Sequence, residues 1–428
     1  MKFSIKRSAY DDQLRELRHY NDSLTQLTGK SLSLEPSRRR STPNFKAFQA
    51  YAKTIFHTLC SSLQCTCQSH AVNLRIEHRD KLDADGSSRA PSAPLRFVFT
   101  NSLGVSSQLP PLWKEVELRC FEDLVQAAPI VTPRDCSTHN AKRKVRFSMT
   151  KPQRIRVPSA PVVETTAAVS AALPTSASIP QVAQIESLCA AIAQIPPQHD
   201  KCVGYLLDDT QQRHGLYSRP SKCSPQQWVR CTLAQVLSGS AGHTAPLSLR
   251  DKLRIAVDLA SGVLQLYKTP WLREDWTQSD VIFIYRPGSA EPSMYEHPFV
   301  YRELSQLAPQ QIMNTSPTVY RVIRNRTLYV LGIVLIELCY GKLIQGLQKA
   351  EDLQCDGAPG VEWCTADRLL RTKELENHVG KRYADAVRRC IYCDFGVDDA
   401  DLDNEGFQRV VYEGVLEKLE ESLRHIEG

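Results

Sequence analysis

Hydrophobic residues recur at helical spacing in "FKAFQAYAKTIFHTLCSSL" (Phe45 to Leu63). There Phe45, Phe48, Ala52, Ile55, Phe56 and Leu59 fall on one face and predict an amphipathic helix. A thinner stripe of Leu14, Leu17, Leu24 and Leu27 predicts a helix over 12–27. The pattern then switches from helical spacing to alternation. "AVNLRIEH", "PLRFVFT" and "WKEVELRCF" alternate apolar and polar residues, which predicts three strands of a sheet with one wet face.

The C-terminal half is mostly helical in pattern. Ser248 followed by Asp251 forms a capping-box pattern, and Leu249, Leu253, Ala256, Leu259, Ala260, Val263, Leu264 and Tyr267 follow at helical spacing. "LYVLGIVLIELCYG" (Leu328 to Gly341) is apolar almost all round and too short to cross a bilayer. It therefore reads as a helix at the centre of a domain, stopped by Gly341. A last helix is expected with an Asp403 cap and a Leu402–Phe407 staple. Its buried stripe would be Phe407, Val410, Val411, Val415, Leu419, Leu423 and Ile426.

Between these segments lie stretches that cannot build a core. The clearest is "VPSAPVVETTAAVSAALPTSASIPQV" (Val157 to Val182), rich in Ala, Pro, Ser and Thr, without a sustained period. The resulting division is an N-terminal helical segment over 1–30, a basic α+β region over 45–147, a disordered linker over 148–183 and a further domain over 184–428. With 428 residues, 42% hydrophobic and 23% charged, the composition suits a globular protein. No stretch has the run of about 20 apolar residues that spans a bilayer. The first residues lack the apolar core of a secretory leader. Fourteen cysteines without a disulfide-scaffold spacing imply reduced thiols and a cytoplasmic or nuclear protein.

Charge is unevenly spread. Residues 1–156 hold 26 Lys+Arg against 14 Asp+Glu, and the remainder 27 against 33. The excess peaks at Lys142, Arg143, Lys144, Arg146, Lys151, Arg154 and Arg156. Such a run can meet nucleic acid or an anionic membrane, or act as a nuclear address. Without regular aromatic interleaving its plainer reading is a solvated charged segment.

From Ile185 onward the order of elements resembles the back half of a protein kinase. "IESLCAAIAQIPPQHDKCVGYLLDDTQQRHGLYSRP" is similar to a kinase C helix running into two strands, and "WVRCTLAQVLSG" to the hinge and D helix. "LSLRDKLRIAVDLASGVLQLYKTPWLREDWTQSDVIFIY" is similar to the E helix and catalytic loop. "RTLYVLGIVLIELCYGK" resembles the buried F helix, and "YADAVRRCIYCDF" the H helix. The fold this implies is α+β: a mainly helical kinase-like C-terminal domain with a small β part, preceded by a smaller α+β region. The same succession, with "CTCQSH", "KVRF" and "CDFG…DLDNEGF", also resembles an uncharacterised fungal domain-of-unknown-function family. Longer relatives in that family sometimes carry an upstream HeLo-type region linked to prion inhibition.

The kinase resemblance puts Asp275 at the catalytic base, Thr277 at the phosphate-contacting lysine and Asp280 at the metal-binding asparagine. It puts Thr327 where an aspartate braces the catalytic loop. No glycine occurs between Gly104 and Gly204, and no lysine between Lys151 and Lys201, so the phosphate-cradling loop and the strand lysine are missing. The tripeptide Asp394-Phe395-Gly396 copies the kinase metal-holding motif but lies beyond the F-like helix. There it reads as a helix stop at Gly396 and a surface turn at Asp394. The expected function is that of a non-catalytic, pseudokinase-like interaction or scaffold protein with an unknown protein partner and no cofactor. Two alternatives stay open: an atypical kinase or nucleotide-binding enzyme using Asp275 and Asp280, and a nucleic-acid or anionic-membrane binder using 142–156.

Cys65, Cys67 and His70 bring soft metal ligands close together, but no second pair stands at a standard zinc spacing. Cys390 and Cys393 are a remote means of completing such a site, and the plainer reading of all of them is buried small hydrophobes. His214 and His243 read as loop residues, with no cysteine or serine that spacing would single out as a nucleophile.

Overall fold

The computed structural model describes residues 13–29, 43–65, 69–79, 94–102, 112–120, 182–195, 202–219, 228–241, 246–285, 295–304, 323–354 and 360–427. Helix α1 (13–29) leaves its leucine stripe of Leu14, Leu17, Leu24 and Leu27 exposed. Helix α2 (Phe45–Ser61) begins where the Asn44 side chain accepts from the Ala47 amide. It buries Phe45, Phe48, Tyr51, Ala52, Ile55 and Leu59. The apolar spacing thus located the buried face, apart from the half-buried Phe56.

Strands β1 (Ser69–Arg75), β2 (Leu95–Ser102) and β3 (Leu112–Cys120) form the antiparallel meander that alternation predicts. Then come α3 (Leu188–Ala193), β4 (Cys202–Leu207), β5 (Arg213–Ser218), β6 (Val229–Thr232) and α4 (Leu233–Leu237). Helix α5 (Leu249–Leu266), β7 (Val281–Tyr285) and β8 (Pro298–Leu304) follow. All eight strands join one sheet in the order β4-β5-β3-β2-β1-β8-β7-β6. The two regions drawn from the sequence, 45–147 and 184–428, therefore share a sheet. A three-strand meander has two open edges, and here β5 pairs with β3 while β8 pairs with β1.

One face of the sheet supplies Val72, Leu74, Phe97, Phe99, Val116 and Leu118 to the main core. The other face is wet only in part. Arg96 and Glu117 lie there, beside a small apolar cluster of Val98, Ile282, Phe299 and Trp228.

The core continues into the helices. Ser248 and Asp251 make both bonds of a capping box at the start of α5. Gly262 allows that helix to approach the chain leaving β1, since a Cβ there would lie 2.7 Å from Ile76 Cγ2. Helix α6 (Arg326–Tyr340) is buried along most of its length and stops at Gly341, with φ of 66°. After it come α7 (Val361–Arg371), α8 (Glu374–Val379), α9 (Lys381–Tyr392), α10 (Glu405–Val411) and α11 (Glu417–Glu427). Tyr383 of α9 donates its hydroxyl to the Leu335 carbonyl of α6 at 2.8 Å.

Four local expectations need correction. Asn404, not Asp403, caps α10, accepting from the Gly406 and Phe407 amides; the two residue types cap about equally well, so the pattern could not separate them. A π turn (Tyr412–Leu416) inserts between α10 and α11 and rotates the stripe, so Leu416 enters the core and Ile426 is exposed. Cys393, in the left-handed region with φ of 51°, ends α9 ahead of Gly396. Nine of the described cysteines carry thiols, but Cys364 is disulfide-bonded, so the expectation of reduced thiols does not hold throughout.

Two outcomes follow from this packing. Leu335 is fully buried, so Leu335→Asp should abolish the cooperative thermal transition, because an unpaired buried carboxylate costs several kcal/mol, on the order of a domain's stability. Leu335→Ala should fold and lose about 2–5 kcal/mol in denaturant unfolding. A specific protease site inserted between residues 160 and 175 should give two pieces that co-elute in size exclusion, because β3–β5 and β1–β8 pair across the cut. Separation of the pieces without denaturant would contradict the shared sheet.

Candidate functional site

The segment between α5 and β7 holds the positions aligned with a kinase catalytic loop. Trp271 and Trp276 anchor it, both essentially inaccessible. Asp275 is clamped by its neighbour: Arg273 Nε donates to Oδ1 at 2.9 Å and Nη2 to Oδ2 at 2.7 Å. Burial pushes the Asp275 carboxyl up, but the Arg273 bonds and charge outweigh it and hold it below its ordinary value. Asp280 is engaged on both oxygens. Oδ1 accepts from Arg302 Nη1 at 2.8 Å, and Oδ2 from the Thr277 amide at 2.9 Å. Arg302 belongs to β8, has a largely buried side chain and also donates from Nε to the Pro270 carbonyl at 3.1 Å. Thr327 is buried in the first turn of α6.

A carboxylate of α6 does reach this segment, but from another position. Glu337 is inaccessible to solvent; it accepts from the Gln278 side chain and, at 2.8 Å, from the Ile344 amide. Burial raises its pKa to about 7, and the nearby Glu362 charge adds to the rise. Sequence reading sought the brace at Thr327 and passed over Glu337. The signal was present, since Glu337 is the one charged residue in an otherwise apolar run. Arg302 carried no such signal.

The Asp394-Phe395-Gly396 tripeptide follows α9. Phe395 is buried edge-on against Phe407 at 5.3 Å, while Asp394 and Gly396 are exposed. They border a cleft of about 530 Å³ with Lys381, Arg388, Arg389 and Lys418. The tripeptide is thus a turn that exposes Asp394 and Gly396 and buries Phe395.

The cysteine reading changes more. Cys65 Sγ lies 2.8 Å from His70 Nε2, and Cys189 of α3 brings its sulfur alongside, all three donor atoms falling within 4.8 Å of one another. The Leu188 amide holds α3 in place by donating to the Ser62 carbonyl at 2.9 Å. Cys67 lies outside the described residues. Cys390 and Cys393 are buried at the end of α9 and do not join this group. Nothing in the spacing linked Cys189 to the other two.

His214 sits in β5, not in a loop. It is inaccessible, paired across the sheet with Cys120, with Nε2 3.0 Å from Asp208 Oδ2. Asp208 also accepts from Thr210 and Gln212, which makes this a hairpin-closing network without access for a substrate. His243 and the basic run 142–156 lie outside the described residues. No helix among the described residues is long and apolar enough to cross a membrane.

What the fold and these sites define is an α+β protein in which Asp275 and Asp280 are bound up in ion pairs. A family model described as domain of unknown function (DUF7580) matches residues 44–426, and the chain belongs to that family. The expectation of a domain-of-unknown-function family holds at that level. No curated protein matches the chain.

Glu337 and Asp258 give the fold a pH dependence. Asp258 of α5 is likewise pushed up to about 7, by burial first, although it accepts from the His78 amide and faces Arg75 and Arg254. Both carboxyls have folded pKa values above their unfolded ones. The folded state therefore keeps protons that the unfolded chain releases, and stability falls as pH rises from the ordinary carboxylate range to about 7. Glu337→Gln should shrink the drop in melting temperature between about pH 5 and about pH 8, with Gln278 turning its amide to donate and accept in register. An unchanged drop would show that Glu337 ionises freely in the fold.

Proposed function

We propose that this chain is a non-catalytic, pseudokinase-like interaction protein of fungal type, acting by binding a protein partner in the cytoplasm or nucleus. The observation that carries the reading is the state of its two kinase-aligned carboxylates. A catalytic base needs an oxygen turned toward the substrate hydroxyl, and a magnesium ligand needs free lone pairs. Asp275 is clamped by Arg273, and Asp280 is shared between Arg302 and the Thr277 amide. A magnesium ion at Asp280 would have to displace a buried guanidinium or sit against its positive charge. The order of elements supports the kinase-like part of the reading: α3 between β3 and β4, α5 before the loop and the buried α6 after it. The strand before α3 does carry a lysine, Lys114, but its Nζ is engaged by the Ile195 carbonyl beyond α3 at 2.6 Å, so the non-catalytic part rests on the state of Asp275 and Asp280.

A thermal-shift titration with ATP and magnesium tests this, run on the full chain beside Asp275→Asn and Asp280→Asn. A ligand at 100 times its dissociation constant stabilises by about 2.7 kcal/mol, which is readily visible. No shift is expected in any of the three proteins. A magnesium-dependent shift that disappears in Asp280→Asn would replace this reading with an atypical nucleotide-binding enzyme.

A further inference from the structure

We propose that Cys65, His70 and Cys189 bind a zinc ion. The three come from different places: the turn after α2, the start of β1 and the first turn of α3. Cys189 is 119 positions beyond His70, so their meeting is a product of the fold and not of a local cysteine cluster. Two sulfurs and one imidazole nitrogen form a donor set suited to zinc.

The geometry is close to what the ion needs. Tetrahedral zinc, with bonds of about 2.3 Å to sulfur and about 2.0 Å to nitrogen, separates a sulfur from a nitrogen by about 3.6 Å and two sulfurs by about 3.8 Å. The present separations run from 2.8 Å up to 4.8 Å at most. Side-chain adjustments of roughly 1 Å or less would bring the donors to zinc distances. The charge also balances. Each thiol releases its proton to solvent, the imidazole stays neutral and gives its Nε2 lone pair, and two thiolates neutralise the dication. A neutral centre suits this place, where His70 is buried and both cysteines are half-buried. Three protein ligands leave a fourth coordination position, which a water would fill.

Such an ion would tie α2, β1 and α3 together, fastening the stretch before β2 to the stretch before β4. The neighbouring Cys60 supplies a control. It lies on α2 outside the group, and burial pushes its thiol up to about 11, which makes it a poor thiolate donor at neutral pH.

The test uses the full chain, stripped with chelator under reducing conditions and titrated with Co²⁺ as the probe. One equivalent should produce the visible bands of four-coordinate cobalt with a thiolate-to-metal charge-transfer band, and Zn²⁺ should bleach both. Cys189→Ser and Cys65→Ser should each weaken Co²⁺ binding by more than about tenfold and reduce the charge-transfer intensity, while Cys60→Ser matches the parent. The melting temperature of each metal-free variant checks that it folds, and added Zn²⁺ should raise it in the parent and in Cys60→Ser alone. Absence of the cobalt bands in the reduced parent would overturn the proposal. So would Co²⁺ binding of parental strength in both Cys65→Ser and Cys189→Ser.

Discussion

Trp271 holds the two parts of the chain together. Its indole is inaccessible, with Nε1 donating to the Ala52 carbonyl of α2 at 2.8 Å. The ring stands edge-on to Phe56 at 5.0 Å and lies against Phe97 of β2 at 5.5 Å. A buried indole N–H needs an acceptor, and a helical carbonyl has a second lone pair to offer. Gln49 repeats the link one turn earlier by donating to the Leu264 carbonyl at 2.8 Å. Each bond contributes only about 1 kcal/mol net, and the apolar area sealed around them contributes more. Because α2, the sheet and the end of α5 share these groups, the N-terminal strands and the later helices build one core.

The same loop is braced from two further directions, by opposite electrostatic means. On one side β8 offers Arg302 to Asp280, a charged pair whose partner must stay in place because the guanidinium is largely buried. On the other side α6 offers Glu337 to Gln278, and burial favours its neutral form. A buried ion pair adds little stability compared with well-packed apolar groups, but losing one member leaves an uncompensated charge. These groups engage both carboxylate oxygens of Asp280 and hold the loop against β8 and α6.

Local signals made much of the fold legible. The face of α2, the capping box of α5, the burial of α6 and its stop at Gly341 all rest on residues within a few positions of one another. The three-strand meander rests on alternation alone. The shared sheet was not legible, because β3 finds β5 and β1 finds β8 across long separations that leave no mark in either strand's own pattern. The π turn was hidden because a one-residue insertion preserves apolar composition while rotating the face. At the candidate site Arg273, two residues from Asp275, could be read from adjacency. Arg302, 22 residues from Asp280, and Cys189 could not. Residues that titrate or coordinate are paired by tertiary structure, and sequence spacing reports only partners on the same element.

Residues 121–187 separate β3 from α3, yet the structure on either side closes as one unit. The entropy of closing a connection grows only logarithmically with its length, about 0.6 kcal/mol per doubling, so a long segment there costs little. What closure needs is contacts strong enough to meet that cost near the points where the chain leaves and returns. Pairing of β3 with β5 supplies one, with Cys120 opposite His214 at the very end of the strand. The Leu188 amide on the Ser62 carbonyl supplies another and carries Cys189 to the turn that holds Cys65. The returning end is fixed further by Ala183 and Ile185, whose backbones pair with Tyr205 of β4, and by Ser187, whose side chain caps α3.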